Sequence, residues 1–339
     1  MAPLEPRRSA IRRRDFIGLI GSVATTGPST LLAQPAGPLR LVGVLMGFGE
    51  GDRQSRALIA EFRAALANLG WKEGSNLRTE LRWGAGDVAR IADFAKELVA
   101  LKPDALLGQT TPVAVSLARE TKSIPIIFVT VSDPIGSGLA ASLAHPGGNV
   151  TGFTFVESTV GGKWVQLLKE IAPRTMHVVL LFNPTTAPPL KFYLPGIQTA
   201  ASSFAIETST APVHEKVEIE GVVAAAARNP GGALIVMPDA FNATHRELII
   251  ALAARYGVPA IYGNNFAESG GLIFYGADFA ETFRLGADYI DRVLKGAKPG
   301  ELPIQLPTRF ALSINLKTAK ALGLEVPLSL QQRADEVIE

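Results

Sequence analysis

What most constrains this chain is a rhythm: from Leu39 onward, short β-branched apolar runs alternate with segments of helical period, and the cycle occurs twice. Such alternation predicts parallel sheets covered by helices, because a parallel strand pair needs a crossover long enough to hold a helix. Candidate strands are 40–46, 76–83, 104–108 and 125–130, then 177–182, 206–210, 233–237 and 259–262. Candidate helices lie between them at 54–69, 88–101 and 112–121, then at 162–171, 214–228 and 244–256. A chain of 339 residues can bury two ordinary cores. The doubled rhythm therefore predicts an α/β protein of two Rossmann-like, doubly wound lobes joined by a hinge.

The junction falls at 149–156, where a strand-like segment follows the turn-rich His145-Pro146-Gly147-Gly148. Further on, 272–276, a helix at 279–294 and the Pro-flanked 302–310 depart from simple alternation and predict a return across the boundary. A last helix, 316–322, stops at Gly323. The expected division is 39–152 with about 277–305 for the first lobe, and 153–276 with about 306–339 for the second.

Ahead of this body, Arg12-Arg13-Arg14-Asp15 gives way at Phe16 to an apolar, small-residue stretch that runs to about Ala33. A positive region, a short apolar region and a small residue before a polar exit is the layout of an export signal over residues 1–33, and Arg13-Arg14 gives it a twin-arginine character. Gly18, Gly21, Gly27 and Pro28 break the stretch too often for a transmembrane span. The segment also holds five Arg against Glu5 and Asp15, so of 33 basic and 31 acidic side chains the rest keeps 28 and 29, a net −1. That removes any global electrostatic case for nucleic acid. With no cysteine, the chain has no disulfide, thiolate metal site, Cys nucleophile or lipid anchor. A periplasmic, non-anchored protein is expected.

No catalytic set presents itself. Gly47-Phe48-Gly49-Glu50-Gly51-Asp52 evokes a dinucleotide loop, but Asp52 stands where the third glycine is needed, and Glu50 and Asp52 would face a pyrophosphate. His145, His177, His214 and His245 are too scattered for helical metal spacing. No nucleophile elbow or Walker loop occurs. Glu218 and Glu220 read as a solvated helix face with Lys216. Neither a cofactor nor a metal is expected.

What recurs instead is a set of polar, small or aromatic residues at the carboxyl ends of successive strands, the edges that line the ligand crevice of doubly wound sheets. Gln109, Thr110 and Thr111 precede Pro112, a helix start whose hydroxyls and free amides suit a carboxylate. Thr130, Ser132 and Asp133 follow the fourth strand; Asn183 follows Phe182, and Asp239 and Asn264 close later edges. Asp239, Asp133 or Asp278 would face a cationic amine, and Met46, Phe48, Phe182 and Tyr262 would supply apolar walls. Taken singly, each cluster is also explained by ordinary capping and turn chemistry.

Four stretches carry a family resemblance: Arg-Arg-Arg-Asp-Phe-Ile at 12–17, Val-Ser-Asp-Pro-Ile-Gly-Ser-Gly-Leu at 131–139, His-Pro-Gly-Gly-Asn-Val-Thr-Gly at 145–152 and Ile-Asn-Leu-Lys-Thr-Ala-Lys-Ala-Leu-Gly-Leu at 314–324. With the closing Arg-Ala-Asp-Glu-Val-Ile-Glu at 333–339, the chain resembles the ABC transporter substrate-binding family that includes the tryptophan-binding TrpX proteins. The resemblance implies a type I periplasmic binding fold with three interlobe crossings, an amino-acid ligand (aromatic in some relatives) or another small carboxylate, and carboxylate recognition at Thr110 and Thr111. It implies a transient partner, an ABC permease of the inner membrane, for a protein expected to be a monomer. The loops 47–53 and 183–190, the latter with Pro188-Pro189, are positioned to touch the solute. Two other readings stay open: a ligand-sensing domain for a membrane signalling partner, and an enzyme on the same fold. A sugar-repressor-like regulator would need a helix-turn-helix of roughly fifty residues ahead of the first strand, where 39 residues stand.

Overall fold

In the computed structural model the described residues are 39–186 and 190–339; the leader and the Pro188-Pro189 pair lie outside them. The first half runs β1 (Arg40–Met46), α1 (Arg53–Asn68), β2 (Leu77–Trp83), α2 (Val88–Ala100), β3 (Ala105–Gln109), α3 (Thr111–Glu120), β4 (Ile126–Val131) and β5 (Val150–Thr154). Its five strands pair in parallel in the order β2-β1-β3-β4-β5, so the winding reverses between β1 and β3.

The second half runs α4 (Thr159–Ile171), β6 (His177–Phe182), α5 (Leu190–Ser203), β7 (Glu207–Pro212), α6 (Glu218–Arg228), β8 (Gly232–Val236), α7 (Ala240–Thr244), α8 (Arg246–Arg255), β9 (Ala260–Tyr262) and β10 (Ile273–Ala277). After α9 (Phe279–Leu294) come β11 (Phe310–Asn315), α10 (Leu316–Ala321), α11 (Leu328–Arg333) and β12 (Glu336–Ile338). These strands form a seven-stranded sheet, β12-β11-β10-β9-β8-β6-β7, which reverses between β6 and β8 and in which only β10 and β11 pair antiparallel.

Both sheets are covered on both faces, so their strands read as near-continuous apolar runs. In β1, Val42, Val44 and Met46 point to a core with α1 and α9, whereas Leu45 joins Ile91, Leu98 and Leu117 under α2 and α3. The second sheet is covered by α4 and α5 on one face, around Trp164 and Tyr193, and by α6 and α8 on the other. The chain passes between the sheets three times: after Thr154, between β10 and α9, and before β11. Gln305 still travels with β5, its amide donating to Gly152 O at 3.0 Å while its carbonyl accepts from Thr154 N at 2.9 Å.

Several local readings are corrected. α5 was not anticipated, because Pro195 and Gly196 argue against a helix; there, Gly196 and Gly161 let α4 and α5 meet backbone to backbone. A Cβ on Gly161 would stand 2.5 Å from Tyr193 O. α6 starts at Glu218, not at 214, and the Glu218 carboxylate accepts from His214 N and Glu215 N at 2.5 and 3.0 Å. Glu218 is therefore a capping group whose pKa those amides lower, and Lys216 lies ahead of the helix. Glu220 pairs with Arg255 at 3.1 Å. The helix expected at 244–256 is α8, Arg246–Arg255, and a separate short helix, α7, precedes it and ends at His245.

Gly152 marks the closest approach of β5 to β4: its φ is +151°, and a Cβ there would stand 2.0 Å from Phe128 O. Gly152→Ala should lower the unfolding free energy by about 2–3 kcal/mol, read as a fall in the urea midpoint at unchanged slope.

A candidate ligand cavity between the two sheets

Each reversal of strand order leaves an opening at the carboxyl ends of the strands, and here the two openings face each other across a cavity of about 290 Å³. On the first sheet, Thr110 closes β3 and caps α3 with φ 80° and ψ 157°, a conformation that a β-branched residue adopts at a cost. Thr110 is held by its amide, which donates to Val129 O at 3.1 Å, and by Gly47, where a Cβ would stand 2.6 Å from Thr110 Oγ1. The first helical bond of α3 runs from Ala114 N to Thr110 O, and Pro112 has no N–H, so the amides of Thr111 and Val113 are left without a helical acceptor. Thr111 Oγ1 accepts from Ser132 N at 3.2 Å and lies 3.1 Å from Ser132 Oγ, which ties the β3 edge to the β4 edge.

The second sheet contributes Asp239. It caps α7, accepting from Asn242 N at 2.7 Å and Asn242 Nδ2 at 2.9 Å, from Asn183 N at 3.2 Å and from Thr186 Oγ1 at 3.3 Å. The carboxylate thus fastens the loop after β6 to the loop after β8. Burial nevertheless outweighs these donors and pushes its pKa up to about 7. Asn183 Oδ1 in turn accepts the amides of Thr185 and Thr186 at 2.9 and 3.1 Å, which sets both threonines on the cavity wall.

Two polar atoms on the wall, Thr130 Oγ1 and Asn264 Nδ2, are buried and have no hydrogen-bond partner among the described residues. A buried polar atom left unpaired is costly, so such atoms point to a ligand or water that pairs them. The apolar walls are Phe48, Phe155 and Phe279, with Val88, Pro112, Val115 and Pro238. Phe155 and Phe279 meet edge to face, centroids 5.9 Å apart.

Of the residues singled out in the sequence, Phe48, Thr110, Thr111, Thr130, Ser132, Asp239 and Asn264 line this cavity. The others are placed elsewhere. Met46, Phe182 and Tyr262 are strand residues whose side chains turn into the sheet cores, Tyr262 against Phe266. Gln109 is buried behind the first loop, its Oε1 accepting from Gly47 N at 3.3 Å. Asn183 supports the loop without reaching the wall. Asp133 holds Gly136 N at 2.8 Å and Lys191 Nζ at 3.0 Å, and Asp278 caps α9 and sits 3.6 Å from Arg309 at the last crossing. Sequence reasoning missed Val115, Ser116 and Arg119, although Thr111, Val115 and Arg119 repeat every four residues along one face of α3. Phe155 and Phe279 sit at chain crossings, where no strand edge marks them.

Among the described residues, three ion pairs bridge the sheets around the cavity: Asp52 with Arg246, Asp133 with Lys191 at 3.0 Å, and Arg53 with Glu268 at 3.8 Å. The first is sheltered, with side-chain exposures of 15% and 18%. Phe48 also reaches from the first sheet onto the core of the second. The two halves are therefore seen in contact, closed over the cavity. Among the described residues no cluster of acidic or imidazole groups could hold a metal, and no helix is long and apolar enough to cross a membrane.

Two doubly wound lobes with facing switch points, joined by three crossings, define a two-lobed receptor of the type I periplasmic binding fold. The chain belongs to the family described as ABC transporter substrate binding protein, whose model matches residues 51–338. It is 25% identical over 265 residues to the tyrosine-binding protein of Clostridioides difficile (strain R20291), covering 78% of this chain and 76% of that one. The structure of an ABC domain from Streptococcus pneumoniae in complex with L-Trp superposes with a TM-score of 0.81 at 27% identity, over 88% of this chain and all of the other. A conserved domain protein of Vibrio cholerae O1 biovar El Tor gives a TM-score of 0.80 at 27% identity, over 88% and 99%.

Asp52 is also the N-cap of α1, accepting from Ser55 N at 2.7 Å, and asparagine caps as well as aspartate. Asp52→Asn thus removes the charge and keeps the cap. The variant should show a larger radius of gyration than wild type in the absence of ligand, measured by small-angle scattering at low salt; equal radii would show that the pair does not hold the lobes together.

Proposed function

We propose that this protein is the exported receptor of an ABC importer and that its ligand is an α-amino acid with an aromatic side chain, bound unchanged. The observation that carries this reading is the pairing of an amide-rich, strained α3 start and two unpaired buried polar atoms with a three-phenylalanine wall, in one cavity between the lobes. The α-carboxylate would sit at the Thr110–Thr111 turn, where amides and hydroxyls converge. The ammonium would approach Asp239 and displace the Thr186 hydroxyl, the longest of its four donors at 3.3 Å. An aromatic ring fills the space among Phe48, Phe155 and Phe279. The L-Trp and tyrosine ligands of the similar proteins support the same class.

Closure follows from the same geometry. Carboxylate contacts come from the first lobe and ammonium contacts from the second, so both are made only when the lobes meet, and binding draws the open–closed equilibrium toward the closed form. The closed form is what an ABC permease would receive; family membership and the twin-arginine-like leader of residues 1–33 support export to the periplasm for that purpose.

A thermal-shift and calorimetric panel tests the reading. L-Trp, L-Tyr or L-Phe should raise the melting temperature in a saturable way, and mass spectrometry should recover the compound unaltered. Stabilisation by sugars or by lysine alone would overturn the ligand class; a chemically altered compound would replace the receptor with an enzyme.

Asp239 gives the pH dependence a sign. In the closed, empty cavity its raised pKa favours the protonated acid, whereas a bound ammonium favours the carboxylate. Binding should therefore release a proton below about pH 7, and affinity should fall as pH drops through that value, by up to about tenfold per unit. For the unliganded protein the protonated group contributes stability that is fully present below its ordinary value of 3.8 and lost as pH rises through about 7. Calorimetry in buffers of different ionisation heat should detect the released proton at pH 6 and none at pH 8.5; no release at pH 6 would remove Asp239 from ammonium recognition.

A further inference from the structure

Among the described residues, the cavity wall carries one cation and one anion, Arg119 and Asp239, on opposite lobes. Asp239 is buried and tied into its loop by four donors, whereas Arg119 is exposed and forms no ion pair or side-chain hydrogen bond among the described residues. Val88, the first residue of α2, lines the same cavity and is 54% exposed, so the wall includes side chains open to solvent. Other parts of the wall are buried: Thr130, Ser132 and Asn264.

Arg119 closes a stripe that runs along α3 through Thr111 and Val115. Eight residues of helix place its Cα about 12 Å along the axis from the α3 start, and helical side chains lean back toward the N-terminus. The guanidinium is therefore carried back over the Val115–Ser116 turn, to a distance from the carboxylate-binding turn comparable with the length of an aromatic amino acid from carboxylate to ring tip. A guanidinium there has nothing to do for an α-carboxylate already held by the amides of Thr111 and Val113, and it is a poor neighbour for an ammonium. It suits an oxygen acceptor on the ring.

We infer that Arg119 is a specificity-determining residue of the cavity, which selects amino acids bearing an oxygen acceptor, best a carboxylate, at the end of the side chain remote from the α-carbon. The inference rests on the amino-acid reading above. A guanidinium meets a carboxylate through two parallel N–H···O bonds and a hydroxyl through one, so the preference should run from carboxyl to hydroxyl to bare ring. Because Arg119 is exposed, solvent and salt screen the pair and the preference stays modest.

The test is calorimetry on the mature protein and on Arg119→Met and Arg119→Lys, with L-phenylalanine, L-tyrosine and 4-carboxy-L-phenylalanine as probes. Wild type should bind the carboxylated probe about five- to tenfold more tightly than L-phenylalanine, with the gap narrowing in 0.5 M salt, a concentration chosen to shrink the Debye length to roughly 4 Å. Arg119→Met should erase the gap, leave L-phenylalanine within about twofold and keep the melting temperature; Arg119→Lys should keep part of the gap, as a point charge does. Equal weakening of all three probes in Arg119→Met would overturn the inference, since the residue would then serve the α-carboxylate or the scaffold, and so would a wild type that does not discriminate. A wild type that binds none of the three overturns the amino-acid reading together with the inference, an outcome distinct from binding without discrimination.

Discussion

The chain passes between its two sheets three times, and that connection fixes which surfaces can face each other. After Thr154, at Ala277–Asp278 and again before Phe310, the backbone runs from one sheet to the other, so the sheets can swing but cannot slide. The edges brought together are the carboxyl ends of the strands, where each winding reverses and leaves an opening. Opposed openings make one cavity with a wall on each lobe. The crossings also furnish part of the wall, since Phe155 and Phe279 stand at two of them and meet edge to face.

Within that frame the lobes are unequal. The first supplies amides and hydroxyls on a turn held rigid from behind: Thr110 at φ 80° is pressed against Gly47, and Thr111 is bonded to Ser132. The second supplies a carboxylate whose burial costs enough to lift its pKa to about 7. An empty closed cavity thus carries two kinds of unfavourable group, polar atoms without partners and an acid resisting ionisation. The rim ion pairs work in the other direction, favouring contact whether or not a ligand is present. Closure is a balance between rim attraction and interior cost, and a ligand that pairs the interior groups tips it.

How much of this was legible in the sequence depends on the kind of signal. Strand β1 was read at 40–46 and found at Arg40–Met46, because apolar β-branched runs between turn residues have few other uses. Helix α5 was not, since Pro195 and Gly196 read as breakers until packing against Gly161 and Gly162 explains them: the glycines are there for backbone approach. The site divides in the same way. Thr110, Thr111, Thr130, Ser132, Asp239 and Asn264, which line the cavity, stand at or just beyond strand ends, the positions that the switch-point rule selects. Met46, Phe182 and Tyr262 were drawn in by the same rule and turn into the cores, since the rule counts residues along a strand and cannot tell which way the last one points.

Helix α3 shows why the remaining wall residues escaped. The Thr-Thr-Pro turn marks its start in the sequence, whereas its flank carries no such turn signal. A helix that presents its N-terminus to a cavity also lays one side along it, and every fourth residue from the first helical position then becomes wall. In α3 those residues change character along the helix, from Thr111 through Val115 to the exposed Arg119. Such a gradient matches a molecule polar at one end, apolar in the middle and acceptor-bearing at the tip. On the proposed reading, the α3 flank sets which amino acid fits, while its first turn sets that an amino acid fits at all.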